Sequence, residues 1–316
     1  MKGSVAGLAA LLLAASALSC AAKAGEANKP ILGKESHGQT IVERALAAHS
    51  NLVATTIYAR VPSSTKFPPP PAKGAPVAVA SNRVAPGSAA PAAIRAVVKT
   101  GEDHFATQNG HLIADLVLND MSGKPAGAVA LDLHGESKAA LTEEARAITG
   151  EMSRWISYSA NMMQAEHMDR NVPLKSYAQH LIDRALKLHP DVMIMAIHAA
   201  TPKNADPEIL ASNIGRIGKK ADDDDMRVVA KGATNLEVNK DLVRYEVELP
   251  LNDVSGVRIG ALGVVFGLTP GMDQNAKHRE AIAIRNEISR RILKPANLVE
   301  AWPYDPHFSD DTYAQA

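Results

Sequence analysis

The same turn occurs twice in this chain, as LNDMSG at 118–123 and as LNDVSG at 251–256. Before the second copy, apolar residues alternate with polar ones, at Val243, Tyr245, Val247 and Leu249. That alternation is the period of a half-buried strand. The stretch 258–266 after the turn is almost entirely apolar beyond Gly260, and the turn glycine is free to adopt positive φ. The pattern predicts an antiparallel β-hairpin in each copy.

The duplication extends well beyond this turn. Residues 36–62 and 176–202 match without a gap, sharing Gln39 and Gln179, Arg44 and Arg184, Leu46 and Leu186, His49 and His189, Pro62 and Pro202. Further matches follow in the same order, Ala-Ser-Asn at 80–82 and 211–213 and Gly-Ala at 127–128 and 260–261. Repetition in register is the signature of a duplicated structural unit.

Each copy predicts the same series of elements. A leading helix carries apolar residues at helical spacing, Ile41, Val42, Ala45 and Leu46 in the first copy. Two buried strands follow, then a short helix, the hairpin strands and a closing helix at about 141–164 or 274–293. The acidic run 222–225 suits the start of the short helix, with calcium binding as the alternative. The predicted fold class is α+β, with two tandem modules.

This order of elements, with an Asn-Asp-x-Ser-Gly turn between long strands, resembles the PAS-like sensor domains called Cache or PDC domains. The resemblance covers 39–135 and 179–268, and 211–222 is similar to a block in periplasmic proteins of proteobacteria. It implies extracytoplasmic modules at 36–165 and 173–295, each with an antiparallel sheet that binds a small molecule on one face. The tyrosine–arginine–aspartate signature of amino-acid-binding members cannot be placed. A poorly ordered tail is expected at 296–316.

The N-terminus has the pattern of a signal peptide over 1–24. Lys2 precedes the apolar stretch 5–18, and Ala22 to Ala24 supplies small residues for cleavage. The apolar stretch is shorter than the roughly 20 residues that span a bilayer. Cys20, the single cysteine, stands where a lipoprotein is lipidated. Lipidation of Cys20 and cleavage after Ala24 remain alternatives, and both predict a periplasmic protein.

Composition excludes some classes of function. The 316 residues contain 34 Lys plus Arg and 34 Asp plus Glu, with 4% aromatic residues. This balance argues against nucleic acid as a partner, because neutralising phosphates requires a basic face. Phosphate loops, nucleophile elbows and His-Glu-x-x-His motifs are absent from the sequence. We therefore expect neither an enzyme nor a cofactor.

The candidate ligand contacts are mainly in the second copy. His198 lies in an otherwise apolar strand and corresponds to Tyr58, while Arg216 offers a planar fork for an anionic ligand. The alternatives are a core histidine and a surface pairing of the basic cluster with 222–225. The full set of candidates is His198, Asn213, Arg216, Lys219 and Tyr245, with Tyr58 and Asn82 from the first copy.

A second candidate site is the segment 162–168, MMQAEHM. Thioether and imidazole ligands at helical spacing suit Cu(I), which would use Met162, Met163, His167 and Met168. Methionine also fills irregular packing between helices, which is the alternative role.

The sequence as a whole predicts an exported small-molecule-binding protein of the sensor type. It would act through a membrane-bound partner, because no output domain is recognised. The alternatives are a scaffold that lost its pocket and a periplasmic copper-binding protein. The copies disagree at predicted pocket positions, since Tyr58 corresponds to His198 and Arg83 to Ile214. One site, in the second copy, is therefore expected.

Overall fold

A computed structural model describes residues 31–61, 74–239 and 243–303. The predicted signal peptide, Cys20 and the proline-rich stretch 68–71 lie outside these residues. The described chain forms two five-stranded antiparallel sheets, one after the other, each flanked by helices. The predicted α+β fold class is confirmed.

The first module begins with helix α1 and ends with helix α3. Its strands lie in the order β2-β1-β5-β4-β3. The elements are α1 (His37–Ala48), β1 (Leu52–Arg60), β2 (Pro76–Ser81), α2 (Ala92–Thr100), β3 (His104–Gln108), β4 (His111–Asn119), β5 (Pro125–His134) and α3 (Lys138–Ser153).

The second module repeats this topology, with strand order β7-β6-β10-β9-β8. Its elements are α4 (Tyr177–Leu188), β6 (Val192–Ala199), β7 (Glu208–Ser212), α5 (Asp223–Lys231), β8 (Asn235–Asn239), β9 (Arg244–Asn252), β10 (Arg258–Gly267) and α6 (Gln274–Ser289). The two closing helices end earlier than the sequence pattern predicts. The chain instead tightens into the 3-10 helices Ser159–Met163 and Pro295–Val299.

The repeated residues of the leading helices have repeated structural tasks. Ser36 caps α1 and Ser176 caps α4, each accepting a hydrogen bond from the backbone N–H three residues on. The glutamine at that third position reaches back to the sheet. Gln39 Oε1 accepts from Ser81 N, and Gln179 Oε1 accepts from Ser212 N, both at 3.1 Å. The matched sequence therefore fixes each helix to its second strand.

The repeated hairpin turn is held by its aspartate. Asp120 Oδ1 accepts from Ser122 N at 2.8 Å, and Asp253 Oδ1 accepts from Ser255 N at 2.9 Å. Gly123 and Gly256 complete the turns at φ of 81° and 84°, where a side chain would be strained. The local geometry of the turn thus explains why both its aspartate and its glycine are repeated.

Different helices cover the two faces of each sheet. The leading and closing helices pack on one face, where the large apolar cores lie. The short helix covers the opposite face, with α2 packed on β4 and β5 and α5 packed on β9 and β10.

Each module is closed by the segment after its 3-10 helix. Residue Ala165 pairs with Ser36, and Ala301 pairs with Ser176. The ring of Trp302 stacks on His180 at 4.2 Å between centroids, and Leu298 is fully buried. This corrects the expected tail, because residues 296–303 are folded against the second module.

Candidate functional site

The face under α2 in the first module is mainly apolar. Tyr58, Ile94, Val97 and Ala128 form a buried cluster there, together with Ala78 and Ala90. The helix α2 thus sits on a small hydrophobic core of its own. This face provides an internal reference for the second module.

Two of these positions are occupied by ionisable residues in the second module. The register places Tyr58 opposite Ala128 and His198 opposite Ala261, so these two side chains correspond. Ile94 and Asp225 are both the third residue of their short helix. In the first module, Ile113 and Asp115 on β4 pair with residues of β3. In the second module, Glu246 and Glu248 on β9 pair with the corresponding residues of β8. Glu246 therefore corresponds to Ile113, and Glu248 corresponds to Asp115. We call His198, Asp225, Glu246 and Glu248 the carboxyl cluster.

Helix α5 brings Asp225 to the sheet through its own cap. The side chain of Asp222 accepts from Asp225 N, and Asp225 Oδ2 accepts from Asp222 N at 3.0 Å, which is a capping box. This confirms the interpretation of the acidic run as a helix start. The other oxygen, Asp225 Oδ1, lies 2.9 Å from His198 Nδ1. One carboxylate thus serves both the helix cap and the histidine on β6.

Burial acts differently on the carboxyl groups. Burial raises the pKa of Glu248 to about 8, helped by the charges of Asp225 and Glu246. Burial would also raise the pKa of Asp225, but the contact and charge of His198 outweigh it and hold the pKa at about 2. The pKa of Glu246 is raised by burial and by Glu237. At neutral pH the cluster therefore combines an ionised Asp225 with a protonated Glu248.

The carboxylate of Glu246 lies above small residues. Its Oε1 is 3.7 Å from the position a Cβ would take at Gly263, and Ala196 is the neighbour of Gly263 on β6. The first copy has Ala130 and Thr56 at these places. Arg244 lies two residues before Glu246 on β9, and the charges of these two side chains act on each other. In the second module, the carboxylate of Glu246 therefore lies next to the small residues Gly263 and Ala196 of the sheet.

Tyr58 and His198 are the only predicted contacts whose rings lie on these faces. Tyr245 lies on the opposite face, buried with Val247 and Leu249 in the core under α4 and α6. This corrects the prediction for Tyr245. Because successive residues of a strand point to opposite faces, its neighbours Glu246 and Glu248 are the ones under α5.

The repeated asparagines hold the sheet edges. Asn213 Oδ1 accepts from Met195 N at 3.0 Å, and its Nδ2 donates to Met193 O at 2.8 Å and to Arg154 O at 3.0 Å. Asn82 makes the equivalent bonds to Thr55 N and Val53 O. Their amides are therefore engaged by backbone, and a role in ligand contact stays a prediction.

We expect Asn213→Ala to destabilise the protein by about 2 kcal/mol, because it orphans buried backbone groups of β6 and of the chain between the modules. The matched variant Asn82→Ala should cost about 1 kcal/mol or less, since Asn82 is exposed. Urea unfolding of both variants measures the difference. Equal losses would show that the burial of Asn213 contributes nothing.

Arg216 and Lys219 lie away from the carboxyl cluster. Arg216 Nε donates to Gln164 Oε1 at 2.9 Å, and its guanidinium also donates to Tyr158 Oη at 3.0 Å. It thus binds the segment that connects the modules. Lys219 Nζ is 3.9 Å from Asp222 Oδ2 at the surface, as its alternative role predicts. The anionic ligand expected at Arg216 stays a prediction.

The proposed copper residues are not on an α-helix. Met162 and Met163 are buried in the first core, and Met168 is exposed. His167 Nε2 donates to the backbone oxygen of Val172. The helical spacing that suggested the site is absent because the chain there is a 3-10 helix followed by extended backbone. In the described ranges, no cluster of three or more His, Cys, Asp or Glu could hold a metal ion.

A separate groove of about 660 Å³ lies between the modules. It is lined by α1, α4 and the end of α3. The guanidinium of Arg44 stacks over Trp155 at 3.7 Å and pairs with Asp183 at 2.8 Å. Arg44 thus contacts two other side chains that line the groove.

No family model and no curated protein matches the chain. The chain is similar to the crystal structure of PelD 158-CT from Pseudomonas aeruginosa PAO1. The TM-score is 0.28 and the identity 15%, over 79% of this chain and 75% of that chain. Within the described part of the chain, no helix is long and apolar enough to cross a membrane.

Proposed function

We propose that this chain is an exported small-molecule-binding protein of the sensor type, and that its ligand face is the side of the second sheet under α5. The sheet order and the flanking helices support this, since they match what the resemblance to Cache domains implies. In this proposal the protein is periplasmic and passes its signal to a membrane-bound partner. Export follows from the segment 1–24, with lipidation of Cys20 as an alternative to simple cleavage.

The carboxyl cluster is the observation that carries the proposal. Burying ionisable groups costs several kcal/mol unless they are paired. The first module has the same sheet order with Tyr58 and Ile94 in place of His198 and Asp225. The second module therefore carries an unfavourable arrangement that the fold does not require. Such arrangements concentrate at functional sites.

A thermal-shift screen of amines, amino acids and organic acids tests the proposal on the full chain. A ligand present at a hundredfold excess over its Kd stabilises the folded state by about 2.7 kcal/mol. We expect at least one class to raise Tm by several degrees. Uniformly flat shifts would contradict ligand binding and favour the scaffold alternative.

A further inference from the structure

The junction between the modules joins the end of α3 to helix α4 and to the loop after β7. Arg154 follows α3, and its guanidinium donates to Leu186 O at 2.9 Å. Its own backbone oxygen accepts from Asn213 Nδ2 at 3.0 Å. Beside these bonds, Arg44 pairs with Asp183 at 2.8 Å. The two modules are thus held together here by one ion pair and by the hydrogen bonds of Arg154.

The segment after α3 adds further contacts to the second module. Asn161 Nδ2 donates to Ile214 O at 2.9 Å, and Arg244 Nη2 donates to Ser157 O at 2.5 Å. Ser157 is only 2% exposed in this arrangement. Since β9 begins at Arg244 and ends at the repeated hairpin turn, the second module uses the end of its sheet that lies away from that turn.

The duplication repeats the junction surface of the first module at the far end of the second. In both modules the segment after the closing helix lies on the hairpin turn, because Met121 N donates to Ile156 O as Val254 N donates to Ile292 O. In the second module this end is exposed, with Leu293 at 67%. The open end of the second module consists of Arg184, Arg290, Leu293 and Asn297, which correspond to Arg44, Arg154, Ser157 and Asn161.

The first module has the matching open end, on the side of its sheet away from the turn. His111 begins β4 as Arg244 begins β9, and a ring nitrogen of histidine can donate as a guanidinium does. Asn82 follows β2 as Asn213 follows β7, but Asn82 is exposed. The open end of the first module consists of Glu43, Leu46, Asn82 and His111, which correspond to Asp183, Leu186, Asn213 and Arg244.

The two open ends keep the hydrogen-bonding groups of the junction. Arg290 keeps the donors of Arg154. Leu46 O belongs to the last turn of α1, where carbonyl groups have no partner within the helix. Asn82 keeps the amide that, in Asn213, donates to the backbone oxygen of Arg154. Both bonds of Arg154 can therefore form again between two copies of the chain.

The open ends also keep the charges of the junction. Arg184 corresponds to Arg44, and Glu43 corresponds to Asp183, so the ion pair between leading helices has the same signs in the repeated contact. Within its own module, Arg184 Nε lies 3.9 Å from Glu287 Oε1. The two ends are therefore complementary in charge as well as in hydrogen bonding.

We infer that a second copy of this chain docks, through the open end of its first module, on the open end of the second module, and so repeats the junction between copies. Such a contact joins two different surfaces, and copies therefore associate head to tail into rings or filaments. Docking covers Leu293, as the junction covers Ser157. The association does not rest on the proposed function, because neither open end includes a residue of the carboxyl cluster.

Sedimentation velocity of the full chain over a wide range of concentrations tests the inference. We expect the weight-average sedimentation coefficient to rise with concentration beyond that of a dimer. Glu43→Arg places a cation opposite Arg184 and Arg290, and Leu293→Arg places a cation opposite His111. Each variant should weaken association at least about tenfold, because like charges across an interface repel. Both positions are exposed, so the substitutions leave the cores intact.

A mixture of the two variants distinguishes a head-to-tail contact from a symmetric one. Each variant keeps one intact end, so the mixture should form one-to-one dimers and no larger species. Met226→Arg is the control, at an exposed position of α5 outside both open ends, and should associate like the wild type. A wild type that sediments as a monomer at every concentration would overturn the inference, as would a mixture that stays monomeric. Association of either variant alone at wild-type strength would also overturn it.

Discussion

Gly260→Ala is expected to destabilise the protein by about 3 kcal/mol or more. A Cβ at this position would lie 2.1 Å from the backbone oxygen of His198 and 2.9 Å from Ala199 Cβ. Both neighbours belong to β6, which pairs with β10 in the centre of the sheet. Since a backbone oxygen cannot move away as a side chain can, the two strands must separate. Overpacking of this kind typically costs 1–3 kcal/mol, and occasionally more.

Substitutions at two other glycines provide a comparison for this prediction. Gly127→Ala should be equally damaging in the first module, because its Cβ would lie 2.2 Å from Tyr58 O. Gly263→Ala is the control in the same strand, because the nearest atom to its Cβ would be Glu246 Oε1 at 3.7 Å. Denaturant unfolding of the three variants gives the comparison. A loss under 1 kcal/mol for Gly260→Ala would show that the strands adapt.

Glu248→Gln is expected to flatten the dependence of stability on pH. In the folded protein the pKa of Glu248 is raised to about 8 by burial and by Asp225 and Glu246, against 4.5 for the free side chain. The folded state thus holds a proton that the unfolded state has released. The contribution of Glu248 to stability is therefore fully present below pH 4.5 and is lost as pH rises through 8. We expect this group to account for a loss on the order of 3 kcal/mol between pH 5 and pH 8.

The glutamine variant keeps a neutral group of the same shape beside Asn235. It should match the wild type near pH 5 and be more stable at pH 8. Asp225 does not contribute in this window, because its pKa near 2 makes it ionised in both states. Chemical denaturation across this pH range measures the slope. Parallel curves for variant and wild type would contradict a protonated Glu248.

Most of the framework could be predicted from the repeated residues. Ser36, Gln39, Asp120 and their counterparts act locally, through caps and turns, so their spacing alone indicates their geometry. The helix ends could not be predicted, because residues such as Met162 continue an apolar pattern while leaving the helix. Buried 3-10 segments and helices share that pattern.

The carboxyl cluster was missed for a different reason. The alternation in β9 predicts a half-buried strand, but it does not reveal which face lies under α5. Residues that are repeated between the copies, such as Asn82 and Asn213, belong to the shared framework. Residues that differ between the copies are the better signal. The difference between Tyr58 and His198 is one such signal. The difference between Ile113 and Glu246 is another.

The central claim is that the second module binds a ligand through residues the first module lacks. The direct measurement is the thermal shift that the most stabilising compound of the screen gives with a variant in which the cluster is exchanged for first-module residues, His198→Tyr, Asp225→Ile, Glu246→Ile and Glu248→Asp. We predict a folded protein, at least as stable at pH 8 as the wild type, with binding lost. Binding at wild-type affinity by the folded variant would contradict the claim.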